Sequence, residues 1–207
     1  MVKKANKRLR SADMKAEMID AAEKIVSTEG LSALTARRVA VDTGVAVGTI
    51  YNIFENLGAL VAEVNARTLV DLAEALSDVR TGWRSSHDVL MGFADRYMAF
   101  VRDNPYRWMA VFEVEMPDAG QMPPSQVAID RLFSFLEDAI CAHDSRIDAQ
   151  MARRSARGLW AAVHGLLMLS ASRRLPAIRL ENVRPTIDNL VTCHLLGLDA
   201  LLEIQKE

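Results

Sequence analysis

The sequence predicts an all-α protein in two parts, a three-helix helix-turn-helix head followed by a C-terminal helical bundle. Apolar residues recur at helical 3–4 spacing along most of the chain, and no run of alternating β-branched residues lies between turn signals. The breaks fall at Gly and Pro positions that stop or restart helices. Half of the 207 residues are apolar and a quarter are charged, with 10 Gly and 6 Pro, a balance that excludes a disordered or fibrous chain.

The first helix is expected from about Asp13 to Thr28, with Met14, Met18, Ile19, Ala22, Ile25 and Val26 on one face. Ser11 or Asp13 would cap it, and Gly30 would stop it. Thr35 is an N-cap residue for a short second helix, Ala36 to Asp42, which stops at Gly44, where a missing Cβ suits a left-handed turn. A third helix covers about Ala46 to Ile53. A fourth, Asn56 to Val79, has an apolar seam at Leu60, Val61, Val64, Leu69, Leu72 and Leu76. The boundary between the parts is placed at residues 56 and 57, giving 1–56 as arm and helix-turn-helix head and 57–207 as body. Beyond Trp83 the pattern gives longer helices at about 86–102, 104–116, 125–143, 147–174 and 183–204. Asn104-Pro105 restarts a helix, Pro117 through Pro124 form a loop, and Pro176 and Pro185 bracket the last connection.

The net charge of −2 conceals a division. Residues 1–56 hold nine Lys and Arg against seven acids, and five of the bases (Lys3, Lys4, Lys7, Arg8, Arg10) sit at the tip; the remainder carries 16 bases and 20 acids. A basic head on an acidic body is the pattern of a DNA-contacting end joined to a non-contacting one, although a basic terminus that merely solubilises the chain has the same composition. The longest apolar stretch, Leu159 to Leu169, is interrupted by His164 and too short for a membrane span, so no membrane partner is expected. No apolar segment follows the basic start, which points to a cytoplasmic protein. Cys141 and Cys193 lie far apart without a metal-binding pattern and are read as buried, reduced thiols.

The informative segment is Thr35 to Phe54, TARRVAVDTGVAVGTIYNIF. Two short helices joined by a Gly turn make a helix-turn-helix, whose second helix lies in the major groove. Val39, Ala40, Val45, Ile50 and Phe54 supply its apolar core, while Val47, Gly48, Thr49, Tyr51 and Asn52 face outward. Thr49 and Tyr51 offer hydroxyls to phosphates, Asn52 an amide to an adenine edge, and Val47 an apolar contact to a thymine methyl. Gly48 permits close backbone approach. With Thr35, Arg37 and Arg38 of the preceding helix, these form the candidate DNA-binding set.

Residues 12–62 resemble the DNA-binding domain of the tetracycline-repressor (TetR) family. The likeness rests on the helix ending in Gly30, on Thr35, Val39-Ala40, Gly44-Val45 and Gly48-Thr49-Ile50-Tyr51, and on Phe54 followed by Leu60. Trp160-Ala161-Ala162-Val163-His164-Gly165 resembles the Trp-His-Gly signature of one class of TetR C-terminal domains. The resemblance implies a dimeric one-component transcriptional regulator, usually a repressor, whose C-terminal helices bind a small inducer. The chain departs from the family pattern where relatives commonly carry Ser before the recognition helix, Lys or Arg after it and Lys opening the next helix; it has Ala46, Val47 and Leu57 there. These losses weaken phosphate affinity, and the arm Lys3 to Arg10 is expected to compensate.

In the body, Phe93, Tyr97, Trp108, Met109, Phe112, Met116, Trp160, His164 and Met168 are the candidate ligand-binding set, on the grounds that aromatics and Met line adaptable apolar sites. Any one of them serves equally as ordinary core, and His164 serves equally as a core histidine bonded to a carbonyl. For dimerisation, Gly158, Ala161, Ala162 and Gly165 permit close helix approach, and the stripe Ile187, Leu190, Val191, His194, Leu195, Leu198, Leu201 and Leu202 offers an apolar partner face. Catalytic patterns are lacking: Glu113 and Glu115 fall on different helix faces, and no metal motif or phosphate loop occurs. His143-Asp144 and the arginines Arg153, Arg154, Arg157, Arg173 and Arg174 read as solvated charge. No enzyme, cofactor or metal is therefore expected. The expected partners are duplex operator DNA, a small apolar effector and a second copy of the chain, with a helical ligand-binding protein carrying a weak or vestigial head as the alternative.

Overall fold

The computed structural model of the protein describes residues 2–77, 79, 85–113, 124–171 and 182–204. Regular structure among the described residues is helical throughout: α1 (Val2–Glu29), a one-turn 3-10 helix (Leu31–Ala33), α2 (Ala36–Asp42), α3 (Val47–Ile53), α4 (Leu57–Ser77), α5 (Ser86–Asp103), α6 (Pro105–Glu113), α7 (Pro124–Cys141), α8 (Ala149–Ala171) and α9 (Val183–Ile204). None of the described helices is long and apolar enough to cross a membrane. The expected helix starting near Asp13 begins at Val2 instead, so neither Ser11 nor Asp13 caps it. Its opening residues are mostly helix formers with no Gly or Pro to interrupt them. The short turn at Leu31–Ala33 is an element the periodicity did not anticipate.

Packing divides the chain into two compact units, Met1–Val70 with Asn104–Ser125 and Asp71–Asp103 with Gln126–Glu207. The first unit closes over one core. Met18, Ala22 and Val26 of α1, Val39 and Ala40 of α2, Ile50 of α3, Phe54, and Leu60, Val61 and Val64 of α4 are all buried there with Ala110 of α6. A cut at residue 56 severs α4 from a core that it completes, and it assigns α6 to the body although Ala110 packs into the head. Gly30, at φ 85°, ends α1 as expected, and the ring of Tyr106 lies 3.4 Å from where a Cβ would stand.

Polar contacts reinforce this unit. The Arg67 guanidinium of α4 donates to Asp20 and Glu23 of α1, and Arg107 of α6 pairs with Glu23 at 2.9 Å and reaches Thr68 at 3.3 Å. The buried Asn65 amide donates to the carbonyl of Ala110 at 3.0 Å. Three helices are thus joined by one connected set of charges and amides.

The second unit is built on the inward stripes of three long helices. Leu90, Phe93, Ala94, Tyr97 and Phe100 of α5, Ala152, Ala156, Leu159, Val163 and Leu167 of α8, and Ile187, Val191, Leu195, Leu198 and Leu202 of α9 are buried. Each set recurs every three or four residues, the spacing that keeps one helix face turned inward. Arg184 of α9 grips the Asp95 carboxylate of α5 through two hydrogen bonds of 2.7 and 3.0 Å.

Candidate nucleic-acid interface and effector region

The helix-turn-helix is held by its caps. Thr35 is extended, and its hydroxyl oxygen accepts the Arg38 N–H at 3.2 Å, so this side chain is spent on starting α2. At the other end the Val45 N–H donates to Ala40 at 2.9 Å and the Gly44 N–H to Val41 at 3.2 Å. With Gly44 at φ 68°, this is the Schellman arrangement, which turns the chain sharply and satisfies carbonyls that the helix leaves open. Ala46 precedes α3 with no side-chain cap, as the missing Ser implies. Asn56 does cap α4, its side-chain oxygen accepting the Ala59 N–H at 2.9 Å.

α3 is anchored inward through its one buried residue, Ile50, with Phe54 following it into the core. Val45 is partly buried against that core, as its assignment to the apolar side requires. The outward set is as the spacing indicates: Tyr51 is 52% exposed and Val47 40% exposed, Gly48 and Asn52 are exposed, and Thr49 is half-buried. The two cations of α2 are placed differently. Arg37 is exposed, whereas Arg38 forms a two-pronged pair with Glu29 at 2.6 and 2.7 Å. Hydrogen bonding from Arg38 holds the Glu29 carboxyl below its ordinary range and raises the guanidinium in return. Arg38 is therefore committed to joining α1 and α2 in this structure. Side chains 3–10 of the basic arm lie outside the described residues.

The nine candidate ligand residues are divided between the two units. Trp108, Met109 and Phe112 belong to the first unit, where Trp108 is buried and meets the Phe112 ring edge-on at 5.6 Å. Met116 lies outside the described residues. The second unit brings four rings into a row: Tyr97 beside His164, His164 stacked on Trp160 at 4.8 Å, and Trp160 edge-on to Phe133 at 5.6 Å. The Tyr97 hydroxyl and His164 Nδ1 share a 2.8 Å hydrogen bond, so the partner of this half-buried histidine includes a phenol where a carbonyl was the bland expectation. Burial lowers the His164 pKa from its ordinary value. Phe93 stacks on Phe135 at 5.8 Å, and Met168 is partly buried. Phe133 and Phe135 were missed by sequence reading, since neither interrupts the ordinary seam of α7. The two residues are presented beneath Arg157 and Arg131, whose guanidinium carbons lie 5.0 and 5.7 Å from the ring centres.

The candidate dimer residues separate by face. Ile187, Val191, Leu195, Leu198 and Leu202 are buried within their own unit, Leu190 is partly buried, and His194 hydrogen-bonds Ser155. Core packing of α9 against α5 and α8 claims this stripe. Gly158, Ala161, Ala162 and Leu201 are exposed and Gly165 is half-exposed. Leu196 and Ile204, 61% and 67% exposed, share the outward side of α9 with Leu201 and were missed. Their own 3–5 spacing is the signal that a search for a single stripe passes over.

Other assignments change as well. Cys141 and Cys193 are free but exposed, because both sit on helix faces turned from the core. His143 is paired with Asp199 at 2.8 Å, and Asp144 is held well below the usual carboxylate range by Arg146. Arg153, Arg154 and Arg157 are exposed, with Arg157 bonded to Glu137 at 3.1 Å; Arg173 and Arg174 lie outside the described residues.

A compact helical head in which two short helices are joined by a tight Gly turn, the second with an exposed outer face, defines the helix-turn-helix class. Residues 18–64 match the family of bacterial regulatory proteins of the tetR type, and residues 90–193 match the tetracyclin repressor-like C-terminal domain. The chain belongs to the tetR family of transcriptional regulators. Its fold is that of solved family structures. A tetR-family transcriptional regulator from Streptomyces coelicolor is 18% identical with a TM-score of 0.64, covering 92% of this chain and 83% of its own. A transcriptional regulator from Rhodococcus sp. RHA1 is 25% identical with a TM-score of 0.62, covering 88% and 96%. FadR from Bacillus subtilis, solved in complex with stearoyl-CoA, is 14% identical with a TM-score of 0.60, covering 85% and 96%. No protein of curated function matches the sequence.

Proposed function

We propose that this regulator is a cytoplasmic repressor that binds a near-palindromic operator as a homodimer and is released by a small, largely apolar effector. The exposed face of α3, fixed by Ile50 beneath it and by the Schellman turn before it, is the observation that carries the reading. A rigidly held helix with an exposed polar and apolar face suits the major groove, and two copies about one helical turn apart read two half-sites. Thr49, Tyr51, Asn52, Val47, Gly48 and Arg37 make the contacts, Thr35 and Arg38 support them, and the basic arm adds phosphate neutralisation.

Dimerisation uses the outward side of α8 and α9, where Gly158, Ala161 and Ala162 allow close approach and Leu196, Leu201 and Ile204 supply apolar area. The effector lies against the row Tyr97, His164, Trp160 and Phe133, an apolar surface with one polar pair. FadR, a protein of this fold, was crystallised with an acyl-CoA, a ligand with a long apolar chain, in keeping with an effector of that character. Regulation is a population shift: the effector binds better to the conformation whose heads are badly spaced and lowers operator affinity by that difference.

The test is anisotropy titration of a selected duplex at two salt concentrations, with the oligomeric state followed by sedimentation. Tight, sequence-selective, salt-dependent binding by a dimer is expected. The charge-free α3 and the commitment of Arg38 favour a second reading, a ligand-binding protein with a weak head, for which binding stays weak and unselective.

A further inference from the structure

The chemistry of α3 restricts which bases it can read, given the DNA-binding role proposed above. The helix is Val-Gly-Thr-Ile-Tyr-Asn-Ile and carries no charged side chain. Guanine is most often recognised by an arginine or lysine placed on its O6 and N7, and α3 has neither. It presents the Asn52 amide, whose donor and acceptor match N6 and N7 of adenine, and the Val47 isopropyl group, whose apolar partner in the major groove is the thymine methyl. Placed over a G·C pair, the same isopropyl group covers polar base edges without hydrogen-bonding them.

Gly48 adds an independent observation. A Cβ built there would meet nothing within 4 Å, and its φ is not among the positive ones. Neither packing nor backbone conformation within the protein requires glycine, although glycine weakens a helix relative to alanine. An exposed glycine between Val47 and Thr49, one turn before Asn52, fits the close approach of another surface.

We propose that α3 reads a half-site whose contacted base pairs are A·T, with Asn52 on an adenine, Val47 on a thymine methyl and Gly48 letting the helix backbone close on the groove. The experiment is selection of duplexes from a random library by the full-length protein, followed by replacement of each half-site thymine with deoxyuridine, which removes only the methyl group. Expected is a near-palindrome with A·T pairs at the α3 positions. One deoxyuridine should cost about fourfold in affinity with the native protein and measurably less with Val47→Ala, whose single methyl reaches less far toward the thymine. Asn52→Ala should lose about 5- to 150-fold discrimination at one adenine. Gly48→Ala should weaken binding while leaving the melting temperature equal or higher, a split that a glycine needed for folding does not produce. A near-palindrome with G·C pairs at these positions, indifferent to all three substitutions, overturns the inference and leaves operator binding standing. Enrichment of no sequence overturns the DNA-binding reading on which it rests.

Discussion

α3 and α9 both bury one side and expose the other, but they do so in opposite chemical styles. α3 has seven residues and one buried side chain, so its position depends on neighbouring elements, and its exposed side is mixed and uncharged. α9 has 22 residues, five buried leucine-like side chains along one face besides Val183, and further leucine and isoleucine on the other. The contrast separates two kinds of readability. A short helix with one anchor has few ways to face, whereas a long helix apolar on both sides offers two stripes, and only packing decides which one is internal.

The largest effect expected from this contrast lies on the inner face of α9. Leu195→Ala should cost about 2–5 kcal/mol of stability by denaturant unfolding, as a buried leucine leaves a cavity. Replacing Leu196 and Leu201 together with Asp should leave the fold intact, convert dimer to monomer by sedimentation, and weaken operator binding on the order of a hundredfold through lost bivalency. If that double variant remained a dimer, the outward stripe would not be the interface. In the head, Thr35→Ala should cost about 1 kcal/mol, the worth of an N-cap, and should lower operator affinity only through the fold.

Acidity distinguishes the two units more gently. All four histidines, His87, His143, His164 and His194, lie in the second unit. Burial holds His164 and His194 below their ordinary value of 6.5, so the unfolded chain takes up protons first. Their contribution is fully present above about pH 6.5 and declines as pH falls from there toward the depressed folded values. Denaturant unfolding at pH 7.5 and 5.5 should show this decline, and His164→Gln with His194→Gln should flatten it. The smallest change is expected of Glu29→Gln: the Glu29–Arg38 pair is exposed, so thermal melting should barely move, while operator affinity should rise slightly as Arg38 is freed.

Much of the fold was legible because the local signals agreed. Thr35 and Gly44 bounded α2 at the residues observed, and α9 was placed at both ends by Pro185 and its sustained stripe. The outward set of α3 followed from placing Val39, Ala40, Val45, Ile50 and Phe54 in one core. What was not legible depended on long-range partners. The commitment of Arg38 depends on Glu29, nine residues earlier, and exposed guanidinium groups look alike in sequence whether paired or not. The membership of α6 in the head depends on Ala110 and on Asn65, 45 positions away, which no periodicity records. Trp108 and His164 shared an aromatic composition that said nothing about which unit each would join.

The charges joining α1, α4 and α6 also set how the head responds to heat. Water holds separated charges less firmly as temperature rises, so the cost of bringing Asp20, Glu23, Arg67 and Arg107 together diminishes while the gain from apolar contact levels off. On warming, a growing share of the cohesion of these three helices passes from their shared apolar core to this ionic seam.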